Sequence, residues 1–271
     1  MSWWHKPASD TQITHGDRLW LYVLAAIIML LLVIPTFIVI PMSFSDAQYL
    51  EFPPSNWSTR WYTVYLESPK WMRATVTSLQ IAVLTMLLAT PIGTMAAYGL
   101  FVSENRASRA IFAFLITPII VPVILIAIGT FYAYGRVGLN NTISGLVLAH
   151  TVLAAPLVMI VITAALRTYD LNQERVARSL GATRLKAFLV ITLPQIKFSI
   201  VTASLLAFLT SFDEVIIAIF VSGGINATLT KLMFSALRDF IDPTIAAIST
   251  IMVLVSTILL LTAQYFGSRK K

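Results

Sequence analysis

The sequence predicts an all-α integral membrane protein with six transmembrane helices. Three observations lead there. Hydrophobic residues make up 58% of the 271 positions and charged residues only 11%, against roughly 25% charged in soluble domains. Apolar runs of the ~20 residues that a helix needs to cross a bilayer recur along the chain. The basic residues are shared unequally between the connections, as topology requires. Composition also excludes classes. With no cysteine there is no disulfide framework and no thiolate metal site. The net charge of +7 does not indicate nucleic acid, because its placement fits membrane topology. No internal repeat is evident. No cleavable signal peptide is expected, since the first apolar run is too long for one and no small-residue cleavage site follows it.

Residues 1–18 read as a polar cytoplasmic tail, with Trp3 and Trp4 as an interfacial foot the less favoured alternative. The six-helix transmembrane domain then covers 19–266. Its first span is expected at 19–44, bent or ended by Pro35 and Pro41. The outside segment 45–71 is rich in rings, including Trp57, Trp61, Tyr62 and Trp71. Such rings mark a membrane–water boundary more often than a cation site. A short interfacial helix is expected near Trp61–Leu66. The second span is placed at 75–102, kinked near Pro91, and a short loop at 103–108 carries Glu104 and Arg106.

The third span, 109–134, contains Pro118 and Pro122. Four residues apart, they interrupt the same stretch of backbone hydrogen bonds. Broken backbone in a membrane is tolerated where it is buried in protein or lines a cavity, so a pathway lining and a packing kink both fit. Gly135–Asn141 reads as an outer turn. The fourth span, 142–166, holds His150, for which a packed, hydrogen-bonded role is preferred over a proton relay. The fifth span, 198–221, contains Asp213 and Glu214. Carboxylates are costly in lipid and should face the bundle interior or water. Either one lines the pathway and attracts a cationic substrate, or the pair contacts a helix end or a partner. Ser222-Gly223-Gly224 is expected to end this span in a turn. Asp239 and Asp242 could meet an external partner, but Asp242 before Pro243 reads better as a helix start. The sixth span is 243–266, and 267–271 is a basic cytoplasmic tail.

Six spans put both ends on one side. Of the 19 Lys/Arg, six lie on the other side: Arg60, Lys70, Arg73, Arg136, Lys231 and Arg238. The remaining thirteen share the side of the ends, which is therefore cytoplasmic.

One cytoplasmic loop, 167–197, is patterned like folded structure. It carries Arg167, Arg175, Arg178, Arg184, Lys186 and Lys197. Leu171, Val176, Ala177 and Leu180 can share a face of one short helix, and Leu185, Phe188 and Leu189 a face of a second. Gly181 between them suits a positive φ. Glu174 and Arg178 are spaced as an i,i+4 pair. Pro194 lies about one turn before the next span. Two amphipathic helices too small to fold alone require a partner surface.

The run from Glu174 to Pro194 resembles the E-A-A loop of permease subunits in bacterial ABC importers. Gly181, Ile191, Leu193 and Pro194 fall in register with E-A-A-x-x-x-G and the I-x-L-P that follows it, and Ala177 matches the second alanine. Arg175 and Val176 depart from the first two positions. Glu174 lies one residue early, ~100° around a helix. Ser78–Val83, Ser211–Glu214 and the stretch from Asp242 to Thr250 are similar to the second permease of spermidine/putrescine importers.

The resemblance implies a type I ABC importer permease fold, multi-pass in a bacterial inner membrane. It implies an ATP-binding subunit pair, a second permease and an extracytoplasmic solute-binding protein as partners. Glu174, Arg175, Ala177, Arg178, Leu180 and Gly181 would make the ATPase-coupling contact. Asp213, Glu214, Pro118 and Pro122 are the pathway candidates. No G-x-x-x-x-G-K-[ST] occurs, so no cofactor is expected in this chain, and ATP and magnesium would sit on the partner. The solute is read as a polyamine, with another small organic solute or ferric iron as the alternative. A stand-alone secondary transporter or channel would have no reason for the 167–197 loop. An enzyme is disfavoured, since neither H-E-x-x-H nor a credible nucleophile–base pair around Ser144 and His150 is found.

Overall fold

The computed structural model describes residues 14–103, 105 and 107–268, with side chains described to residue 262. The expectations on residues 1–13, Glu104, Arg106 and the last three basic residues lie outside the described residues. The helices are α1 (Leu19–Met42), α2 (Arg60–Glu67), α3 (Pro69–Val102), α4 (Ser108–Leu115), α5 (Thr117–Ile120), α6 (Val123–Val137), α7 (Ile143–Arg167), α8 (Asn172–Ser179), α9 (Arg184–Ala187), α10 (Leu193–Phe212), α11 (Ile216–Val221), α12 (Leu229–Asp239) and α13 (Thr244–Ser268). Among the described residues the one strand-like feature is an isolated bridge between Ser45 and Trp57. Among the described residues five helical runs are long and apolar enough to cross a membrane: α1, α3, α7, the run Arg184–Phe212, and Thr244–Thr262 of α13.

The chain divides into two compact units. One comprises Met1–Val64 with Asp242–Val253. In it α1 buries none of its residues, as an apolar helix whose environment is lipid requires. Pro35 lies inside α1, and Pro41 comes just before its end. Beyond α1 the chain is pinned by Tyr62, whose hydroxyl lies 2.7 Å from Ser43 Oγ, and by Trp61 Nε1, which donates to Ala47 O at 3.1 Å. Tyr49, Phe52 and Trp57 stay exposed. The short helix expected near Trp61–Leu66 is α2. Asp242 starts α13 as expected, its Oδ1 accepting from Thr244 N at 2.9 Å.

The other unit comprises Tyr65–Ile241 with Leu254–Lys271. Its core is a trio of α3, α7 and α10. Small side chains line the seam: Ala89 and Ala97 of α3, Ala154 of α7, Ala203 and Ala207 of α10. In a bilayer, where burial of apolar surface drives nothing, such residues let backbones approach and gain dispersion. Gly93 marks a close approach. A Cβ there would lie 2.7 Å from Val158 Cβ and 2.8 Å from Ala155 O. Gly93→Ala should therefore cost about 1–3 kcal/mol by overpacking. It should lower the melting temperature of the detergent-solubilised protein, while Gly99→Ala, with nothing within 4 Å, should not. Equal melting temperatures would contradict the close approach.

Two expected spans are not single helices. The third breaks into α4, α5 and α6, with Pro118 in the first turn of α5 and Pro122 at the N-cap of α6. Each proline lacks an N–H and clashes with the carbonyl four residues back, and Val121 between them is extended. The fifth stops at Phe212 and resumes at Ile216. An uninterrupted helix over 198–221 is thus corrected.

The second short loop helix is also corrected. α9 does not end before the membrane. It runs through a π-helical turn, Phe188–Thr192, into α10. Leu193 N donates to Phe188 O, five residues back. The extra residue in this turn accommodates Pro194, which can give no N–H to the ladder.

At the far end of this unit, Gly138 ends α6 in the left-handed region (φ 73°). Asn141 N donates to Val221 O at 2.8 Å, and Asn226 Nδ2 donates to Asn141 O at 2.7 Å. The turn expected at Ser222–Gly224 is present. α12 behind it was not anticipated. Its Thr228 N-cap accepts from Lys231 N, a local signal visible in the sequence. His150 is 1% exposed, with Nδ1 2.8 Å from Ser211 Oγ, the packed arrangement preferred for it.

Candidate functional site

The patterned loop is built from its turn outward. α8 ends in a Schellman motif. Ala182 N donates to Ala177 O at 3.1 Å and Gly181 N to Arg178 O at 3.0 Å. Gly181 has φ 93°, a value L side chains rarely adopt. Ala177 and Ala182 are the two positions that such a motif brings into contact, so its A-x-x-x-G-A spacing has a local physical cause. Thr183 then caps α9, its Oγ1 accepting from Lys186 N at 3.3 Å.

α8 is held to the membrane helices from beneath. Glu174 is 3% exposed. Its Oε1 accepts from the Tyr98 hydroxyl of α3, and its Oε2 accepts from Thr192 Oγ1 of the π turn at 3.0 Å. Thr192 also lies 3.1 Å from the Tyr169 hydroxyl. Burial, more than the nearby acids Glu174 and Asp170, pushes the Tyr169 phenol up from its ordinary value. Tyr98 packs its ring on Phe188, with centroids 4.4 Å apart. The side-chain amides of Gln195 and Gln173 add a bond of 2.6 Å. The expected Glu174–Arg178 ion pair does not form, because the carboxylate is turned inward.

The opposite face is free. Arg175 and Arg178 are exposed, and Leu180 is 85% exposed at the end of α8. Val176 and Leu185 are exposed apolar side chains of the same loop. Ala177 is half-buried and Gly181 exposed. Arg175, Arg178 and Arg184 line one cleft of about 90 Å³ with Glu174 at its side. Of the six predicted contact residues, five thus reach or border the surface and Glu174 lies beneath it. Tyr98, Tyr169 and Thr192 were not anticipated.

The second candidate site differs from a carboxylate pair on a helix. Asp213 ends α10 and Glu214 lies in the break before α11. Glu214 Oε1 accepts from Ile217 N at 2.9 Å, and Glu214 O accepts from Thr230 Oγ1 at 2.8 Å. Its carboxylate serves the start of α11. Asp213 is exposed, and its carboxylate has no hydrogen-bond partner among the described residues. Pro118 and Pro122 lie at the other break, between α4 and α6.

The fold has solved counterparts. The crystal structure of a bacterial ABC transporter that imports the acidic polysaccharide alginate matches with a TM-score of 0.73 at 15% identity, over 94% of this chain and 97% of that one. An amino acid ABC transporter matches with a TM-score of 0.52 at 19% identity, over 77% and 95%. These establish the fold. The family profile of binding-protein-dependent transport system inner membrane components matches residues 89–271, more than half the chain. The protein belongs to that family. This permease is 36% identical over 204 residues to the putrescine transport system permease protein PotI of Escherichia coli K12, covering 73% of each chain. It is 28% identical over 234 residues to the spermidine/putrescine transport system permease protein PotC of Haemophilus influenzae, covering 86% of this permease and 90% of that relative. It is an ABC importer permease, and the loop that first suggested one lies within the matched region.

Proposed function

We propose that this permease forms part of the pathway by which a polyamine, of the putrescine and spermidine class, enters a bacterial cell. The observation that carries the solute is its 36% identity to a permease named for putrescine transport. A binding protein delivers the solute from outside. A second, related permease completes the pathway, and a pair of separate ATPase subunits binds ATP and magnesium. The chain crosses the inner membrane six times with both ends in the cytoplasm, the third crossing being made by α4, α5 and α6 together.

Coupling runs through the loop. Arg175, Ala177, Arg178, Leu180 and Gly181 meet the ATPase, and Glu174 acts from beneath by fixing α8 to α3 and the π turn. ATP favours the closed ATPase pair, and the docked loop makes the membrane helices share that preference. Asp213, with no partner at a helix break, attracts the cationic solute. The helix break at Pro118 and Pro122 also borders the pathway. Glu214 keeps the start of α11 in place.

The test is ATP hydrolysis by the purified complex in lipid, with binding proteins loaded in turn with polyamines and with other solutes. Only a polyamine-loaded binding protein should stimulate, and Asp213→Asn should weaken uptake several-fold at unchanged complex yield. Stimulation by a binding protein loaded with ferric iron or another organic solute would discard the polyamine. Uptake into liposomes without ATPase would discard the coupling.

A further inference from the structure

A cavity unrelated to the loop contact lies where α3 and α7 end and α4 begins. It measures about 230 Å³, and both Arg109 and Arg167 line it. They come from different helices, α4 and α7, yet both residues border the same space. Neither forms an ion pair among the described residues, where the one pair is Arg238–Asp239. Among the described residues no carboxylate lines the cavity. Two like charges bordering one space repel each other, and the arrangement gains stability when an anion enters.

Three further features point the same way. Thr163 lines the cavity, and its buried Oγ1 has no hydrogen-bond partner. The N-terminus of α4 has no side-chain cap, its N-cap residue being Ala107. Arg109 sits in the first turn, where the helix dipole disfavours a cation and favours an anion. Ser108 adds a second hydroxyl to the lining, and Phe101 and Phe112 supply apolar wall.

The position decides which anion. Helices α3 and α7 stop at Val102 and Arg167, and α4 starts at Ser108, so the cavity lies at the membrane boundary. The adjoining face of α4 is open and apolar: Ile111 is 46% exposed and Leu115 36%. A phosphate head in the cavity would have its chains against that face.

We propose that the Arg109–Arg167 cavity binds the phosphodiester head of an anionic phospholipid. On the topology proposed above, on which this inference rests for its leaflet, the lipid belongs to the cytoplasmic leaflet. Paired guanidinium groups recognise phosphate oxygens through fixed forks of donors, and basic pockets between helices at that surface suit anionic headgroups. The hydroxyls of Ser108 and Thr163 supply further donors.

The experiment uses the purified, assembled complex in detergent and reads its melting temperature against added phosphatidylglycerol, phosphatidylcholine and glycerol 3-phosphate. Phosphatidylglycerol should raise the melting temperature, and the other two should not. The double variant Arg109→Gln/Arg167→Gln should need at least tenfold more phosphatidylglycerol for the same rise, while Arg136→Gln should respond like wild type. An unchanged response in the double variant overturns the site. An equal rise with glycerol 3-phosphate assigns a soluble anion and overturns the lipid, and an equal rise with phosphatidylcholine overturns recognition of charge. Should the double variant fail to assemble, Arg109→Lys/Arg167→Lys keeps the charges and loses the forks. Its response should be weaker, and a wild-type response overturns the proposal. Because no solute enters this assay, a wrong polyamine assignment would leave its outcome untouched.

Discussion

Gly181→Asp is expected to assemble with its partner subunits and hydrolyse ATP, yet to lose at least ten-fold in solute uptake. The reasoning starts from its φ of 93°. An L side chain held at positive φ costs roughly 1–2 kcal/mol, which the Schellman bonds of Ala182 and Gly181 partly resist. A Cβ at this position would meet nothing within 4 Å. The chain therefore has room for the side chain and should still fold. The disturbance is outward. The new carboxylate stands on the surface where the loop is proposed to dock, next in sequence to the exposed Leu180 and close to Arg178. Gly181→Ala separates the causes, since it strains the same backbone without adding charge or reach. Uptake and ATP hydrolysis measured on the same proteoliposomes decide the matter. Normal uptake by the aspartate variant would remove Gly181 from the docking surface.

Glu174→Ala should be more damaging to the protein itself. It leaves the Tyr98 hydroxyl without its acceptor and Thr192 with only the Tyr169 hydroxyl to turn to. A hydrogen bond to a carboxylate contributes about 1.5–3 kcal/mol, and two are lost here. Tyr98→Phe removes one of them and should fall between Glu174→Ala and wild type. The prediction has two readouts. The melting temperature of the complex should fall in the order wild type, Tyr98→Phe, Glu174→Ala. The ATP consumed per solute transported should rise in the same order, because α8 would then move without carrying α3 and α10 with it. If Glu174→Ala melted and coupled like wild type, the anchoring role would be wrong, even though Arg175 and Leu180 could still touch the ATPase.

What the sequence makes legible follows the range of the interactions involved. The turn at Gly181 is a local matter, closed by bonds between residues three and five apart, and its pattern can be read directly. The orientation of Glu174 cannot. Its partner Tyr98 is 76 positions away, and spacing alone suggested Arg178, one turn along the same helix. The breaks at Pro118 and Pro122 are written in residues that cannot complete a helix. The break at Asp213 is not. It is flanked by apolar residues on both sides, and hydropathy sees one run where the backbone makes two helices. Pro194 misled in the opposite direction. It reads as a boundary, but one extra residue in the π turn carries the helix past it. The solute class rests on relatives, because the substrate-selecting binding protein is a different chain.

The alanine seam between α3, α7 and α10 gives the molecule a mechanical character. Ala89, Ala97, Ala154, Ala203 and Ala207 are fully buried, and side chains this short leave little slack between backbones. A close-packed interior transmits strain rather than absorbing it. The three helices therefore behave as one stiff shaft, gripped at its loop end by Glu174. Give is left to the joints where the backbone leaves the helix, among them Ile116–Val121 and Asp213–Val215. A push on the shaft reaches those joints almost undamped, and one of them carries the unpartnered Asp213.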